Sequence, residues 1–383
     1  MVVIQPTPFC NIDCDYCYLR HRRDRSLMSA ATVEAIADRV IGAIDPATET
    51  LVIWHGGEPT TVPLDWYRSA YPTLSRYKQG VPLDFALQTN GIGIDNSWAR
   101  FLAETGTRVG LSIDGPEDLH NRHRKTRTGR PTWHLAMRAL DTLRRNQVEP
   151  GIITVLTADS LRRRDDMLAF FVEHGLHNLS FSVEEREGAN ATSSLEFAGV
   201  EQAVEEFLLR FMEAVIIEKL PIHVREAERI LALLAADTSA VGANEQTEAL
   251  AVITVDWTGG VYTYSPEFTE HAIGEWGYLR LGSLHKHTLA EISSGEALGR
   301  LTREVSAGLA ECARTCSFWE ICGGGSPVNR LAEHGSLAVA ETQFCRLTVQ
   351  ATARALQRLL RSTGELRPPH NSDWTRMPKR GLS

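Results

Sequence analysis

The 383-residue sequence contains no long uninterrupted run of apolar residues. A helix that spans a membrane needs about 18 of them, so we expect no membrane partner. The cysteine-rich segment that starts at residue 10 also comes too early to leave room for a secretory signal peptide. The sequence therefore predicts a cytoplasmic protein.

Positive charge is also scarce. The formal net charge is −8, whereas a protein whose main substrate is a nucleic acid presents a basic surface to the phosphates. Two short basic runs, at residues 20–23 and 122–125, are interpreted for the most part as solvated surface. We expect no nucleic-acid partner.

Cysteine is absent from the long interval between residues 17 and 312. The seven cysteines form a group of three near the start of the chain and a group of four near its other end. An odd number divided in this way favours two metal sites over disulfides, which a reducing cytosol would not maintain. The groups are Cys10, Cys14 and Cys17, and Cys312, Cys316, Cys322 and Cys345.

The first group has the spacing C-x3-C-x2-C. Three thiolates in one loop can hold three irons of a cubane cluster and leave the fourth iron open for chemistry. A zinc site with His21 as the fourth ligand is the alternative, but this spacing is unusual for zinc. The second group, C-x3-C-x5-C-x22-C, supplies four thiolates, which suit either a fully ligated cluster or a structural zinc ion.

Short apolar segments alternate with amphipathic helical patterns over the first half of the chain. Six such strands with helices between them predict a parallel sheet with right-handed crossovers, which a doubly wound sheet and a barrel both satisfy. After residue 251, two strands around Gly259 and Gly260 predict a β-hairpin. We expect four parts: a core at 1–190, a helical connector at 191–250, a segment with the hairpin, four cysteines and a terminal helix at 251–366, and a mobile tail at 367–383.

Further motifs follow the predicted strands. The cysteine triplet, with Tyr16 before its last cysteine, resembles the signature of the radical S-adenosylmethionine (SAM) superfamily. Gly56-Gly57-Glu58, after the second strand, is similar to the motif with which that family binds the SAM amino group. The resemblance implies an α/β fold with a (βα)6 partial TIM barrel, a 4Fe-4S cluster on the first three cysteines, and SAM on its open iron.

The sequence Ser-Ile-Asp-Gly-Pro at 112–116, followed by His120 and Arg124, resembles the peptide-modifying branch of that superfamily. The resemblance implies that Ser112 and Arg124 contact SAM, with Asn90 and Leu156 as further candidates for the cofactor wall. The full set of predicted cofactor-binding residues is Tyr16, Gly56, Gly57, Glu58, Asn90, Ser112, Arg124 and Leu156.

The four-cysteine segment resembles the SPASM and twitch domains that carry auxiliary clusters in many radical SAM peptide maturases. Such domains often place an earlier cysteine after a hairpin, where this chain has Tyr264-Ser265. The resemblance therefore implies one auxiliary 4Fe-4S cluster rather than two, ligated by Cys312, Cys316, Cys322 and Cys345. If one of the four were not a ligand, that cluster would be open and could bind substrate.

Finer motifs, including Ser265-Pro266-Glu267 and the run at 322–330, resemble the Xye-type and glycine-rich-repeat maturases, which form three-residue cyclophanes in ribosomal peptides. The implied reaction removes a hydrogen from Cβ of one peptide residue and joins that carbon to an aromatic ring two positions before it. The auxiliary cluster then accepts an electron from the ring, and a carboxylate accepts the proton. The candidates for this base are Asp114, Glu184 and Glu185.

The same radical could instead form another product, and these alternatives are a thioether, an epimerised residue, or a formylglycine on a sulfatase. A non-catalytic peptide chaperone with zinc in both cysteine groups is a more distant alternative, because zinc does not explain the Gly-Gly-Glu and Ser-Ile-Asp-Gly motifs. The expected partners are a ribosomally made precursor peptide and an electron donor such as a flavodoxin or a ferredoxin. No separate leader-binding domain is evident in the sequence.

The triplet interpretation makes a direct prediction. Cys14→Ala removes one of three thiolates, so the variant should release no 5'-deoxyadenosine when it is reduced anaerobically with SAM, whereas the wild type should release it. Chromatographic measurement of 5'-deoxyadenosine checks this. Equal yields from the two proteins would show that the triplet does not hold the SAM cluster.

Overall fold

In the part of the chain that the structure describes, the strands lie in one ten-stranded sheet and one two-stranded sheet. The computed structural model describes residues 1–77, 80, 82–235, 244–273 and 277–363. In chain order the strands are β1 Val2–Ile4, β2 Thr50–Trp54, β3 Leu83–Thr89, β4 Arg108–Ser112, β5 Gly151–Leu156, β6 Asn178–Val183, β7 His223–Val224, β8 Ile253–Val255, β9 Gly260–Thr263, β10 Ala272–Ile273, β11 Gly277–Tyr278 and β12 Gly282–Ser283.

The large sheet has the order β12-β9-β8-β1-β2-β3-β4-β5-β6-β7. Strands β1 to β7 are parallel neighbours in sequence order, and helices separate most of them along the chain. The six predicted strands are present at the predicted places. The predicted α/β class with a parallel sheet is thus confirmed, and an open run of βα units agrees with a partial barrel.

Some of the helices begin at a residue whose side chain caps them. Ser29 caps the first helix by accepting from Thr32 N, and Asp95 caps the third by accepting from Ser97 N and Trp98 N. In chain order the helices are α1 Ala30–Arg39, α2 Leu64–Arg76, α3 Asn96–Glu104, α4 Glu117–His123, α5 Trp133–Arg145, α6 Ala158–Arg162, α7 Arg164–Glu173, α8 Val200–Ile216, α9 Arg225–Ala235, α10 Leu289–Ser293, α11 Glu296–Thr315, α12 Trp319–Cys322, α13 Pro327–His334, α14 Gln343–Cys345 and α15 Ala351–Ser362.

In its described residues, the predicted helical connector at 191–250 contains helices α8 and α9. Helix α8 starts after Gly199, a residue with φ of 86°. Helix α8 packs against the terminal helix α15, so the connector is fixed to the end of the described chain. The tail at 367–383 and part of the connector lie outside the described residues.

The predicted hairpin is present and extends the main sheet. Strands β8 and β9 pair antiparallel around Gly259, whose φ of 79° suits the turn. On its other side β8 pairs parallel with β1, with Val2 opposite Ile253. The β8–β9 hairpin therefore shares a sheet and a core with the first strand.

The carboxyl ends of the parallel strands meet at one edge of the sheet, as in other parallel α/β folds. That edge carries the residues that follow Ile4, Trp54, Thr89, Ser112 and Leu156. Beneath it, Trp54 is fully buried and stacks with Tyr71 and Phe85. The packed rings keep the strand ends in fixed positions relative to one another.

Among the described residues, no helix is long and apolar enough to cross a membrane.

Candidate active site

The first cysteine group lies in the loop that follows β1. Cys10 and Cys14 are buried and Cys17 is half-buried. Backbone hydrogen bonds hold the loop on both sides: Cys10 N donates to Arg22 O at 3.1 Å, and Asp13 N donates to Lys125 O at 2.8 Å. The loop is therefore positioned by chain segments that follow β1 and α4.

The environment of these thiols suits a bound cation. Burial raises the pKa of Cys10 above its usual range and that of Cys14 to about 12, so a thiolate there needs a positive partner. Coordination to iron supplies that partner and removes the proton. Asn90 Nδ2 also donates towards Cys10 Sγ at 3.8 Å. The three cysteines thus fit the iron–sulfur cluster that their spacing predicts.

A zinc ion fits this loop less well. The ring of His21, the fourth ligand of the zinc alternative, is exposed and lies beside Trp257, with ring centroids 6.4 Å apart. In the part of the chain that is described, no three His, Cys, Asp or Glu side chains converge as the ligands of a single metal ion do. Each thiolate of a cubane binds a different iron, so a cluster does not require such convergence.

The Gly-Gly-Glu motif packs directly against the cysteine loop. Gly57 has a φ of 56°, and a Cβ placed on it would lie 2.5 Å from Phe9 O and 2.6 Å from Thr7 O. The next residue donates its backbone N–H to the same Phe9 carbonyl at 2.7 Å. Gly56 has a φ of 80° and similarly little space, against Gln5. Glycine is required here because the end of β2 touches the backbone that leads into Cys10.

The carboxylate of Glu58 is buried and accepts hydrogen bonds from residues that follow β2 and from residues at the end of β3. Its donors are Thr60 N at 2.9 Å, Thr60 Oγ1 and Thr89 Oγ1 at 2.6 Å, and Asn90 N at 2.7 Å. Burial raises the pKa of Glu58, although these donors act in the opposite direction. The carboxylate joins the ends of β2 and β3. The predicted contact of Gly56, Gly57 and Glu58 with the SAM amino group stays a prediction.

Asp114, Arg124 and Tyr16 form a buried group after β4. Arg124 donates from Nε to Asp114 Oδ2 at 2.9 Å and from Nη2 to Oδ1 at 3.1 Å, and the Tyr16 hydroxyl donates to Oδ2. Val155 N donates to Oδ1 at 3.1 Å. Burial disfavours the charged carboxylate, but the Arg124 guanidinium holds the pKa of Asp114 below its usual range. Asp114 therefore orients Arg124 and Tyr16 and has no free basic oxygen.

The remaining predicted cofactor residues lie at the same edge. Asn90 Nδ2 donates to Asn11 Oδ1 at 2.8 Å, so it connects β3 to the cysteine loop. Ser112 Oγ accepts from Gln88 Nε2 at 3.1 Å, and the Leu156 side chain is buried at the end of β5. The structure brings all of these residues to the mouth of the sheet. Their contacts with SAM stay predictions.

The other two candidate bases have different surroundings. Glu184 accepts from Ser194 N at 2.8 Å and from Ser194 Oγ, so its carboxylate caps a loop. Glu185 instead accepts from Asn329 Nδ2 of α13. Burial, then the charges of Glu187 and Glu267, raise the pKa of Glu185 well above its usual range. Of the predicted bases, Glu185 therefore has a perturbed pKa, which is common among catalytic acids and bases.

Glu185 belongs to a larger group of acids that we name the carboxylate cluster, formed by Glu185, Glu187, Glu267 and Glu270. Burial, then the charge of Glu267, raises the pKa of Glu187 well above its usual range. Burial also raises the pKa of Glu267. Like charges this close cannot all ionise at neutral pH, so the cluster holds protons that it can exchange.

The carboxylate cluster lies against the cysteine loop. Glu270 accepts from Arg20 N at 2.9 Å, three residues after Cys17, and His271 Nε2 lies 3.2 Å from Glu187 Oε1. The Tyr18 hydroxyl is buried with no hydrogen-bond partner. Sequence reasoning missed Glu187 and Glu270 as site residues. The run of acids after β6 was the available signal, but the fold was needed to bring it beside Glu267.

The second cysteine group lines one cavity of about 280 Å³. All four cysteines line it: Cys312, Cys316, Cys322 and Cys345. Backbone amides already point at two of them, since Phe318 N lies 3.4 Å from Cys316 Sγ and Thr342 N lies 3.3 Å from Cys345 Sγ. N–H groups aimed at sulfur are typical of iron–sulfur sites.

Arg330 and Ser326 complete the wall of that cavity. Arg330 is almost fully buried and donates from Nη2 to Cys312 Sγ at 3.4 Å and to Gly324 O, while its Nη1 finds no hydrogen-bond partner among the described residues. The Ser326 hydroxyl is also buried without a partner. A buried guanidinium needs a nearby anion, and a thiolate-ligated cluster is one. The four-cysteine cavity thus fits the auxiliary 4Fe-4S cluster.

The fold and the two cysteine sites define an iron–sulfur enzyme with a parallel α/β core. The family model of the Radical SAM superfamily matches residues 4–171. An uncharacterized protein of Synechocystis sp. is 32% identical over 361 residues, which cover 93% of this chain and 90% of that protein. The chain belongs to the radical SAM superfamily, whose members use a 4Fe-4S cluster and SAM.

Two further comparisons concern proteins whose names state an activity or a bound ligand. The serine-type anaerobic sulfatase-maturating enzyme of Bacteroides thetaiotaomicron is 25% identical over 350 residues, which cover 86% of this chain and 83% of that protein. The solved structure of native anSMEcpe with bound AdoMet and the Cp18Cys peptide aligns with a TM-score of 0.75 and 22% identity, covering 96% of this chain and 99% of that one. The structural likeness shows that the matched part of the chain shares that fold.

Because the acids of the carboxylate cluster repel one another, we expect replacement of one of them to stabilise the protein by an amount that depends on pH. The raised pKa of Glu187 means that the folded state binds its proton more tightly than the unfolded state, so this group's contribution to the free energy of unfolding falls as the pH rises. Glu187→Gln should therefore raise the free energy of unfolding at pH 8 by on the order of 1 kcal/mol. The gain should shrink towards pH 5.

Anaerobic urea titrations at pH 5, 6, 7 and 8 measure this effect. Glu184→Gln is the matched control, because its carboxylate caps a loop and should give no gain that grows with pH. A Glu187→Gln variant whose stability relative to the wild type does not change with pH would contradict the raised pKa of Glu187.

Arg330 predicts a shift in redox behaviour. A buried cation beside Cys312 favours the more negative, reduced state of a bound cluster, so Arg330→Met should lower the midpoint potential of the auxiliary cluster. We expect a shift of about 59 mV, equal to a tenfold change in the ratio of reduced to oxidised cluster. Redox titration followed by electron paramagnetic resonance measures it, in a protein whose first three cysteines are replaced by alanine.

Arg346→Met is the control for Arg330, because Arg346 follows Cys345 but already pairs with Glu201 and Glu341. Its potential should match that of the parent protein. An unchanged potential in Arg330→Met, at equal iron content, would show that Arg330 does not act on the cluster.

Proposed function

We propose that this enzyme matures a ribosomally made precursor peptide by forming a carbon–carbon crosslink to an aromatic residue. Reductive cleavage of SAM at the first cluster supplies the radical that removes a hydrogen atom from Cβ of a peptide residue. The carbon radical joins the ring of an aromatic residue two positions earlier. The ring then loses one proton and one electron, so the peptide loses two hydrogens in total and a cyclophane remains.

The position of the carboxylate cluster is the observation that carries this proposal. On one side Glu270 binds the backbone of Arg20, close to the first cysteine group. On the other side Glu185 accepts from Asn329, in the helix that follows the second cysteine group. Proton-accepting groups are therefore held between the site that generates the radical and the site that can take the electron. A reaction that ends with the release of a proton and an electron requires the proton acceptor to lie between these two sites.

The protein residues divide the work between binding and proton transfer. Asp114 neutralises and orients Arg124, which can then hold the carboxylate of SAM without a large desolvation penalty. Glu185 accepts the ring proton, since a carboxylate with a raised pKa is a stronger base once it is ionised. Glu187, Glu267 and His271 surround it and pass the proton on towards solvent through a polar cavity of about 490 Å³ that Glu187 and His271 line.

Formation of formylglycine is the second candidate, because the sulfatase-maturating enzyme of Bacteroides thetaiotaomicron matches most of the chain. Oxidation of a serine to an aldehyde also removes two hydrogens and uses the same proton and electron acceptors. A thioether has the same mass change, whereas epimerisation leaves the mass unchanged. Two assays separate the crosslink from formylglycine. In fragmentation, a crosslink blocks cleavage between the joined residues, whereas the aldehyde of formylglycine reacts with a hydrazide.

The test uses synthetic peptides in which an aromatic residue precedes, by two positions, a residue with a Cβ methylene. Anaerobic incubation with SAM and dithionite should give a product two hydrogens lighter that resists fragmentation between those residues. Peptides with a sulfatase-type serine or cysteine are assayed in parallel. A hydrazide-reactive product from these alone would replace the crosslinking proposal with formylglycine formation.

Glu185→Gln should separate radical generation from product formation. The amide cannot accept the ring proton, so product formation should fall about 100-fold while 5'-deoxyadenosine is still released. Glu184→Gln should keep at least half of the wild-type product yield, because its carboxylate caps a loop. Mass spectrometry and chromatography of the same reactions measure both quantities. Unchanged product formation in Glu185→Gln would exclude Glu185 as the base.

A further inference from the structure

Positive charge is concentrated beside the first cysteine group. Residues 10–25 and 122–130 carry nine Lys and Arg against three Asp, although the whole chain has a net charge of −8. The surface beside the cysteine loop is therefore locally basic, and we name it the basic face.

The two basic segments touch the cysteine loop directly. Arg22 Nη1 donates to Cys14 O at 3.0 Å, and Arg127 Nη2 donates to Cys10 O at 2.7 Å. Arg127 also donates to the carbonyl of Arg22, which joins the two segments to each other. These contacts place the basic residues around the backbone of the loop that holds the first cluster.

Part of this charge is free to meet a partner. Arg22 pairs with Asp13 at 2.9 Å and Lys125 with Asp15 at 3.4 Å. Three exposed arginines have no carboxylate within ion-pair distance in the described ranges, and we name them the cluster-loop arginines: Arg23, Arg25 and Arg130. The guanidinium of Arg25 lies 4.2 Å from the centroid of the Phe9 ring, next to Cys10.

We propose that this basic face is the docking surface for the electron donor, an acidic one-electron carrier protein with a flavin or an iron–sulfur centre. The proposal rests on the proposed function only in that each SAM cleavage consumes one electron. That electron leaves the reduced carrier and enters the first cluster, and no bond changes in the carrier. A negatively charged carrier is attracted to the basic face, so its approach is directed to the cysteine loop.

The test compares a protein reductant with a small one. Arg23→Glu/Arg130→Glu reverses two cluster-loop arginines whose side chains make no hydrogen bond in the described structure. Arg303→Glu/Arg361→Glu is the matched control, with the same change in net charge on exposed positions of α11 and α15. Anaerobic stopped-flow absorbance follows reduction of the reconstituted protein by an acidic flavodoxin hydroquinone, and 5'-deoxyadenosine is measured with dithionite.

The expected result is a fall of about tenfold in the second-order rate constant for the cluster-loop variant at low ionic strength, with no such fall in the control. The difference should narrow at 0.5 M salt, because screening weakens the attraction. Dithionite-driven 5'-deoxyadenosine should equal that of the wild type. Its absence from the wild type as well would refute the proposed function, and that outcome is distinct from failure of the docking proposal.

Three outcomes would overturn the docking proposal. The first is an equal rate constant for the cluster-loop variant and the wild type. The second is a fall in dithionite-driven 5'-deoxyadenosine, which would give the arginines a role in SAM cleavage itself. The third is unchanged reduction by flavodoxin with loss of peptide conversion under dithionite, which would make the basic face a binding surface for the peptide.

Discussion

The buried carboxylate of Glu58 is the interaction on which the geometry of the site depends. Its four hydrogen bonds join the end of β2 to the end of β3, and its own backbone N–H binds the chain just before Cys10. Burial of a carboxylate costs free energy unless its oxygens accept hydrogen bonds. Separation of the three strand ends would break these hydrogen bonds and incur that cost. The cysteine loop is positioned because Glu58 keeps β1, β2 and β3 together.

The second constraint is electrostatic. Asp114 and Arg124 neutralise each other at the end of β4, whereas the acids beside the cysteine loop repel one another and have raised pKa values. The first pair can therefore orient groups without taking up protons, and the second group can exchange protons. Two sets of carboxylates in one mouth are suited to different tasks because their neighbours differ.

The sequence predicted the strands and both cysteine groups, because each depends on local spacing or on a short motif. It could not predict that β8 pairs with β1, since that contact joins residues about 250 positions apart. For the same reason Glu187 and Glu267 could not be recognised as neighbours. Arg330 ends the run at 322–330, but only the fold shows that it is buried beside Cys312, with an Nη1 that finds no hydrogen-bond partner among the described residues.

The motif comparison placed Asp114 among the candidate bases because it follows a strand end in the mouth of the sheet. The structure gives that carboxylate a bidentate arginine and a tyrosine hydroxyl, which lower its pKa. Glu184 caps a loop, and Glu185 alone of the three has surroundings that raise its pKa. Proximity to the site is readable from sequence, whereas the protonation behaviour of a carboxylate depends on its partners.

The central claim is that the two cysteine groups hold separate clusters and that SAM binds only the first. Mössbauer spectra of protein reconstituted with ⁵⁷Fe test it most directly, in the wild type and in a variant with alanine at Cys10, Cys14 and Cys17. The account predicts two 4Fe-4S signals in the wild type, of which SAM perturbs one, and a single signal in the variant that SAM leaves unchanged. A SAM-induced change in the variant, or a single cluster in the wild type, would contradict it.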